Sequence, residues 1–199
     1  MKVLLVNGSP RKTGNTAKLL KEIGRSFHAP NDMVLYHDLI DMDVRDCIGC
    51  MRCKKSDACA LDDDMTALYR EIREADAIVI GSPIYVGAET GITKCFLDRI
   101  YALLAPGNGP QGVVTRLAPG KRAFALFPCR RKNGAELYSN MVYRYHEAFG
   151  ALLGMDVKVR IMPEVHVDMN VLQSPIGMRT MDECREFLTG LRAEKATGP

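Results

Sequence analysis

Short apolar runs recur along this chain, each followed by an amphipathic stretch, and this alternation narrows the possible folds more than any other feature. Residues 2–7 (KVLLVN) form a continuous apolar run that ends in Gly8-Ser9-Pro10. Residues 15–27 carry Ala17, Leu19, Leu20, Ile23 and Phe27 at helical spacing. The same pairing repeats with strands at 32–37, 76–81, 121–127 and 155–161 and helices at 62–74, 91–104 and 135–153. Asp62-Asp63-Asp64 supplies the N-cap of the second helix, and Thr180-x-x-Glu183 reads as the capping box of a last one burying Cys184, Phe187, Leu188 and Leu191. Five strands alternating with five helices imply an α/β three-layer sandwich, its parallel sheet covered on both faces. With right-handed crossovers the natural strand order is 2-1-3-4-5. Ligands of such a sheet bind outside the C-terminal strand ends, beside strands one and three.

The chain has 199 residues, 47% of them hydrophobic and 26% charged, which suits one folded domain, 1–199, and excludes general disorder. A cysteine-bearing insertion occupies 46–61 after the second strand. The net charge of +3 carries no nucleic-acid signature. No apolar run approaches a bilayer span, and the first, Val3 to Val6, is too short for a signal-peptide core, so a cytoplasmic protein with no membrane partner is expected. Seven cysteines in that compartment point to metal, redox or burial before disulfides. The stretch 105–120, rich in Gly and Pro without helical period, reads as a mobile flap or an interface loop.

Two loops face the expected site. Between the first strand and first helix lie Ser9, Arg11, Thr13, Gly14, Asn15 and Thr16. Their hydroxyls, amide and backbone N–H groups, with the helix dipole, suit a phosphate monoester. Both the Walker spacing and G-x-G-x-x-G fail here, so a terminal phosphate is favoured over a triphosphate or pyrophosphate. After the third strand, Ser82, Pro83, Ile84, Tyr85, Val86 and Gly87 offer a stiff turn, backbone donors and an aromatic face for a flat ring. Cys47, Cys50, Cys53 and Cys59, with two, two and five residues between them, are compatible with a 4Fe–4S cluster, with zinc, or with a site that holds no metal. The cations Arg99, Arg116, Lys121, Arg122, Arg130, Arg131 and Lys132 fall in a stretch without acidic residues and read as a solvated basic face, a nicotinamide-dinucleotide site or a dock for an acidic protein. Cys129 reads as a packed thiol or a redox-active one.

The run from Asn7 to Thr16 (N-G-S-P-R-x-x-G-N-T) resembles the FMN phosphate loop of the NADPH-dependent FMN reductase branch of the flavodoxin-like superfamily. Gly81-Ser82-Pro83-Ile84-Tyr85 is similar to that family's isoalloxazine loop, and Gly91 to Arg99 to the helix after it. The four-cysteine run followed by Asp63-Asp64-Met65 is similar to the iron–sulfur flavoprotein subgroup. The resemblance implies noncovalent FMN, with Ser9, Arg11, Asn15 and Thr16 on the phosphate, Pro83 to Gly87 bordering the ring, and Pro128, Cys129 and Arg130 completing the pocket. It implies an FMN-dependent oxidoreductase that moves electrons between a small-molecule or protein donor and an acceptor, through FMN and a 4Fe–4S cluster, as a homodimer or homotetramer. The rival readings are a cluster-free reductase fed by NAD(P)H and a zinc-bearing module without catalysis.

Overall fold

The computed structural model describes the backbone of residues 1–197 and the side chains of residues 1–190 other than Pro110. Five parallel strands form the sheet: β1 (Lys2–Asn7), β2 (Met33–Asp38), β3 (Ala77–Gly81), β6 (Arg122–Pro128) and β7 (Asp156–Met162), in the order β2-β1-β3-β6-β7. This is the 2-1-3-4-5 arrangement. The other two strands, β4 (Leu104–Pro106) and β5 (Val113–Thr115), pair antiparallel in a hairpin of their own. That hairpin starts at Leu104, the last residue of the helix expected over 91–104, and runs into the stretch 105–120, where no strand is expected, because three-residue strands are too short to show alternation.

The strand period of two sends alternate β1 side chains to opposite layers. Val3 and Leu5 pack on one side against Leu19, Leu20 and Ile23 of α1 (Asn15–Arg25) and Met181, Cys184 and Leu188 of α7 (Pro175–Thr197). Leu4 and Val6 pack on the other with Leu68 and Ile72 of α3 (Met65–Glu74), Phe96 of α4 (Gly91–Arg99) and Met141 and Tyr145 of α6 (Ser139–Tyr145). Two short helices, α2 (Arg52–Lys55) and α5 (Gly134–Leu137), lie in the connections. Among the described residues no helix is long and apolar enough to cross a membrane.

Three helix boundaries differ from the sequence reading. The helix expected over 91–104 ends at Arg99 and tightens into a 3-10 turn, Ile100–Leu103. The one expected over 135–153 is in pieces: α5, α6 and a π-helix, His146–Leu152. The wider π turn accommodates three buried aromatics, with Tyr145 stacked on Phe149 at 5.9 Å and edge-on to Phe127 at 4.8 Å. The last helix begins at Pro175, not at Thr180: the Ser174 hydroxyl accepts from the Gly177 N–H at 3.1 Å, and proline suits the first helical position. Thr180 is buried inside the helix and donates to the Ile176 carbonyl at 2.8 Å, while Glu183 pairs with Arg160. Leu191 lies outside the described side chains. The aspartate cap also differs in detail: Asp64 occupies the N-cap position without a capping side-chain bond, its Oδ2 accepting instead the Asp43 N–H at 2.8 Å, and Asp63 Oδ1 accepts the Met65 N–H at 3.2 Å.

Candidate functional site

Four loops meet beyond the C-terminal ends of the strands, stitched edge to edge by backbone hydrogen bonds. The Gly8 N–H donates to Gly81 O at 2.8 Å, Ser82 N–H to Leu126 O at 3.1 Å and Ile84 N–H to Pro128 O at 3.2 Å. Cys129 N–H donates to Met162 O at 2.8 Å and Val165 N–H to Cys129 O at 2.9 Å. The first two loops must approach closely: a Cβ on Gly8 would lie 1.8 Å from the Thr93 hydroxyl, and one on Gly81 2.7 Å from the Thr16 methyl. Thr90 locks the junction by donating to Gly8 O at 2.6 Å, and its oxygen caps α4 by accepting from Thr93 N–H.

A cavity of about 650 Å³ opens between these loops. That is within the usual size of small-molecule sites. Ser9, Arg11, Gly14, Asn15 and Thr16 line one end. Pro83, Ile84 and Tyr85 line one wall, and Pro128, Cys129 and Arg130 another. Three further expected residues do not line it. Thr13 is exposed, Val86 is fully exposed and Ser82 is buried, bonding Pro83 O and Thr90. Gly87 is likewise outside the lining. It forms, with Val86, the two-residue turn between Tyr85 and Ala88, with φ of 87° and 50°. A left-handed β-branched residue is a strained choice there, and the flanking Tyr85–Ala88 hydrogen bonds hold it.

Sequence reasoning missed the fourth wall, Val165, His166, Val167 and Asp168. They come from an irregular stretch with no motif. The one signal was topological, since the loop after the last parallel strand ends on the same rim. His166 is tied to the first loop, its carbonyl accepting from Asn15 Nδ2 at 2.7 Å.

The chemistry of the first loop suits an anion. Gly14 at the N-cap of α1 brings no side-chain cap and the first turn holds no acid, so leading N–H groups of the helix stay open toward the cavity. Ser9 Oγ accepts the Arg11 N–H at 3.1 Å, fixing the loop's bend. Asn15 Oδ1 is buried without a partner, an acceptor suited to a ligand hydroxyl. A phosphate ester carrying hydroxyls and a flat ring, as in FMN, fits this donor set. Cys129 is packed away, its Sγ 3.8 Å from Arg131 O, and burial pushes the thiol up; a Cβ on Gly134 would lie 2.3 Å from that sulfur.

The four-cysteine segment lies beside α4, Cys47 and Gly49 sharing a cavity with Leu97 and Asp98. Left-handed backbone at Gly49 and Met51 winds it so that Cys47, Cys50, Cys53 and Cys59 all line one cavity of about 110 Å³, closed by Ile48, Met51, Leu61 and Tyr101. This is several times the volume of a water. No carboxylate lines it, and thiols are the donors that iron–sulfur centres and zinc take, so the residues fit such a group. Among the described residues no His, Cys, Asp or Glu cluster is drawn together at metal-binding separation. Cys95 stands outside, donating to Asp46 at 2.7 Å; burial and then Asp46 push it up to about 11.

The basic stretch is not one solvated face. Arg99 is buried against Asp63 at 2.5 Å, Lys121 donates to the carbonyls of Arg73 and Ala75, and Arg122 lies over the Phe187 ring. Arg116 holds Cys53 O at 3.0 Å. Arg130, Arg131 and Lys132 alone of the seven are exposed, and of these Arg130 lines the cavity.

Residues 1–122 match the NADPH-dependent FMN reductase family. An iron-sulfur flavoprotein of Archaeoglobus fulgidus is 41% identical over 99 residues, half of this chain and 48% of that one. Another, from Methanocaldococcus jannaschii, is 35% identical over 165 residues, 77% of this chain and 80% of its own length. The chain spans about half the length of most curated relatives it matches. Among solved structures, an NAD(P)H:quinone oxidoreductase from Methanothermobacter marburgensis superposes with a TM-score of 0.69 at 14% identity, covering 98% of this chain and 99% of that one, which shows the shared flavodoxin-like fold. On the sequence match, which includes both the loop at Ser9–Thr16 and that at Ser82–Gly87, the chain belongs to the NADPH-dependent FMN reductase family.

Proposed function

We propose that the protein is an FMN-dependent oxidoreductase that passes electrons between a reduced carrier and an acceptor, with FMN in the large cavity and a 4Fe–4S cluster on the four cysteines. The observation that carries the flavin reading is that single cavity, lined at once by the uncapped helix start at Gly14–Thr16 and by the Pro83–Tyr85 turn. When bound, FMN supplies exchange between two-electron and one-electron chemistry. The protein's own part is to bind and orient. Ser9, Arg11, Asn15 and Thr16 hold the phosphate end; Pro83 to Tyr85 and Pro128 to Arg130 confine the ring; Val165 to Asp168 limit the entry of water. Exposed Arg130 at the rim attracts an anionic donor, either NAD(P)H or an acidic carrier protein of the ferredoxin kind. A homodimer or homotetramer, as the subgroup implies, is part of this reading.

The four thiols on one cavity support the cluster. A second reading, a cluster-free reductase driven by NAD(P)H, is favoured by the exposure of Cys47 and Cys50. Anaerobic purification separates them. The expected product is yellow-brown, with flavin and about four irons and four sulfides per chain. Cys50→Ser is expected to lose the iron and keep the flavin. Iron-free wild type that still carries flavin supports the second reading.

A further inference from the structure

Three cations bond to the backbone on or beside the cysteine segment and its cavity wall. Lys54, next to Cys53, sets its ammonium 3.7 Å from the centre of the Tyr101 ring and donates to the carbonyls of Tyr101 and Leu104, each at 2.6 Å. Its hydrogen bonds go to carbonyls and its ring contact is with Tyr101; no carboxylate pairs with it among the described residues. Tyr101 and Cys53 both line the cavity. Arg116 donates to Cys53 O at 3.0 Å, and its Nε is buried with no partner. Arg99, at the segment's two ends, holds Arg45 O at 2.8 Å and Asp63, and its Nε is also buried without a partner. Asp63 neutralises Arg99. The other acids nearby stand outside: Asp57, the ion-pair partner of Arg116, is 87% exposed, and exposed Asp46 accepts from Cys95.

Lys54 is half-buried, and a cation drawn partly out of water against carbonyls and a ring is costly unless an anion completes it. Four thiolates outweigh the positive charge of a cuboidal iron–sulfur core, so the centre they hold is net negative and grows more so on reduction. Hydrogen bonds and charge beside the sulfurs are among the means by which proteins set such potentials. We propose that Lys54 and Arg116 set the reduction potential of the centre held by Cys47, Cys50, Cys53 and Cys59, stabilising its reduced form and so making it the readier electron acceptor. This rests on the cluster reading above and adds to it the sign of the potential shift and the residues that produce it.

The test is an anaerobic dithionite titration of the iron-loaded full chain, followed by the paramagnetic signal of the reduced centre, with iron per chain measured alongside. Lys54→Met is expected to shift the equilibrium at least tenfold toward the oxidised centre, which is 59 mV for one electron. Lys54→Arg is expected to stay within threefold of wild type. Asp57→Asn, on an exposed side chain that leaves the fold intact, frees Arg116 and is expected to shift the equilibrium the opposite way by a smaller factor that fades in high salt. A merely structural Lys54 would lower iron content and leave the potential of the loaded fraction unmoved. Unmoved potentials in loaded Lys54→Met and Asp57→Asn overturn the proposal while the cluster reading stands. Should Lys54→Met fail to load, an unmoved Asp57→Asn alone overturns it. Wild type that takes up no iron on anaerobic reconstitution overturns the cluster reading and this proposal together, leaving the flavin reading untouched.

Discussion

Arg99→Met is expected to cost the folded protein about 3–5 kcal/mol, because it strands a buried carboxylate. The Asp63 side chain is 0% exposed and that of Arg99 1%, and the guanidinium grips both carboxylate oxygens, at 2.5 and 2.9 Å. Asp63 also receives the N–H groups of Arg45 and Met65 at 3.2 Å each. It thereby ties together the two ends of the cysteine segment and the start of α3. Urea unfolding is the measurement: the midpoint falls with the slope unchanged. A loss under about 1 kcal/mol, the range of an exposed pair, would refute the role. The acid side carries a matching signature. Burial pushes the Asp63 carboxyl up, but Arg99 and the two N–H groups hold it, on balance, below the usual aspartate range. A group more acidic in the folded state stabilises fully above its unfolded value near pH 4 and loses that contribution as pH falls through the lower folded value. The Asp63→Asn protein is expected to lack this part of the acid transition.

The second large effect falls on flavin binding. Ser9→Ala combined with Thr16→Val is expected to weaken FMN affinity about 100-fold or more, since a hydrogen bond to a charged group contributes about 1.5–3 kcal/mol and two are removed. Valine preserves the methyl that packs at the Gly81 backbone, where a Cβ would meet Thr16 at 2.7 Å, so the fold is expected to survive. Fluorescence quenching of added FMN measures the affinity, and circular dichroism confirms the fold. An unchanged dissociation constant would remove the phosphate from the Ser9–Thr16 loop.

Much of this molecule was legible in its residues because its strongest signals are local. β1 is read to the residue, since five buried positions in a row, Val3 to Asn7, leave no ambiguity. The order of the sheet follows from connection rules acting on five such strands. The two loops that line the large cavity, at Ser9–Thr16 and Pro83–Tyr85, declare themselves through residue type beside the switch point. The features that escaped are those whose partner is remote in sequence. The wall from Val165 to Asp168 is held by Cys129 O and Asn15, neither of which its own residues announce. The break in the 135–153 helix is decided by how Tyr145 and Phe149 fit beside Phe127. Thr180 and Glu183 formed a convincing capping box, yet Pro175 after Ser174 was the true start, and the box's own residues found other partners. The seven cations from Arg99 to Lys132 look alike in composition but divide between buried or half-buried clasps and an exposed loop, a division set by what packs over them.

The claim on which the rest depends is that FMN binds beyond the first strand through its phosphate. Titration of flavin-free protein with FMN and, separately, with riboflavin tests it most directly, because the two ligands differ only in that group. The expected result is one FMN per chain, bound at least 100-fold more tightly than riboflavin. Equal affinity for both, or no uptake of either, would contradict it.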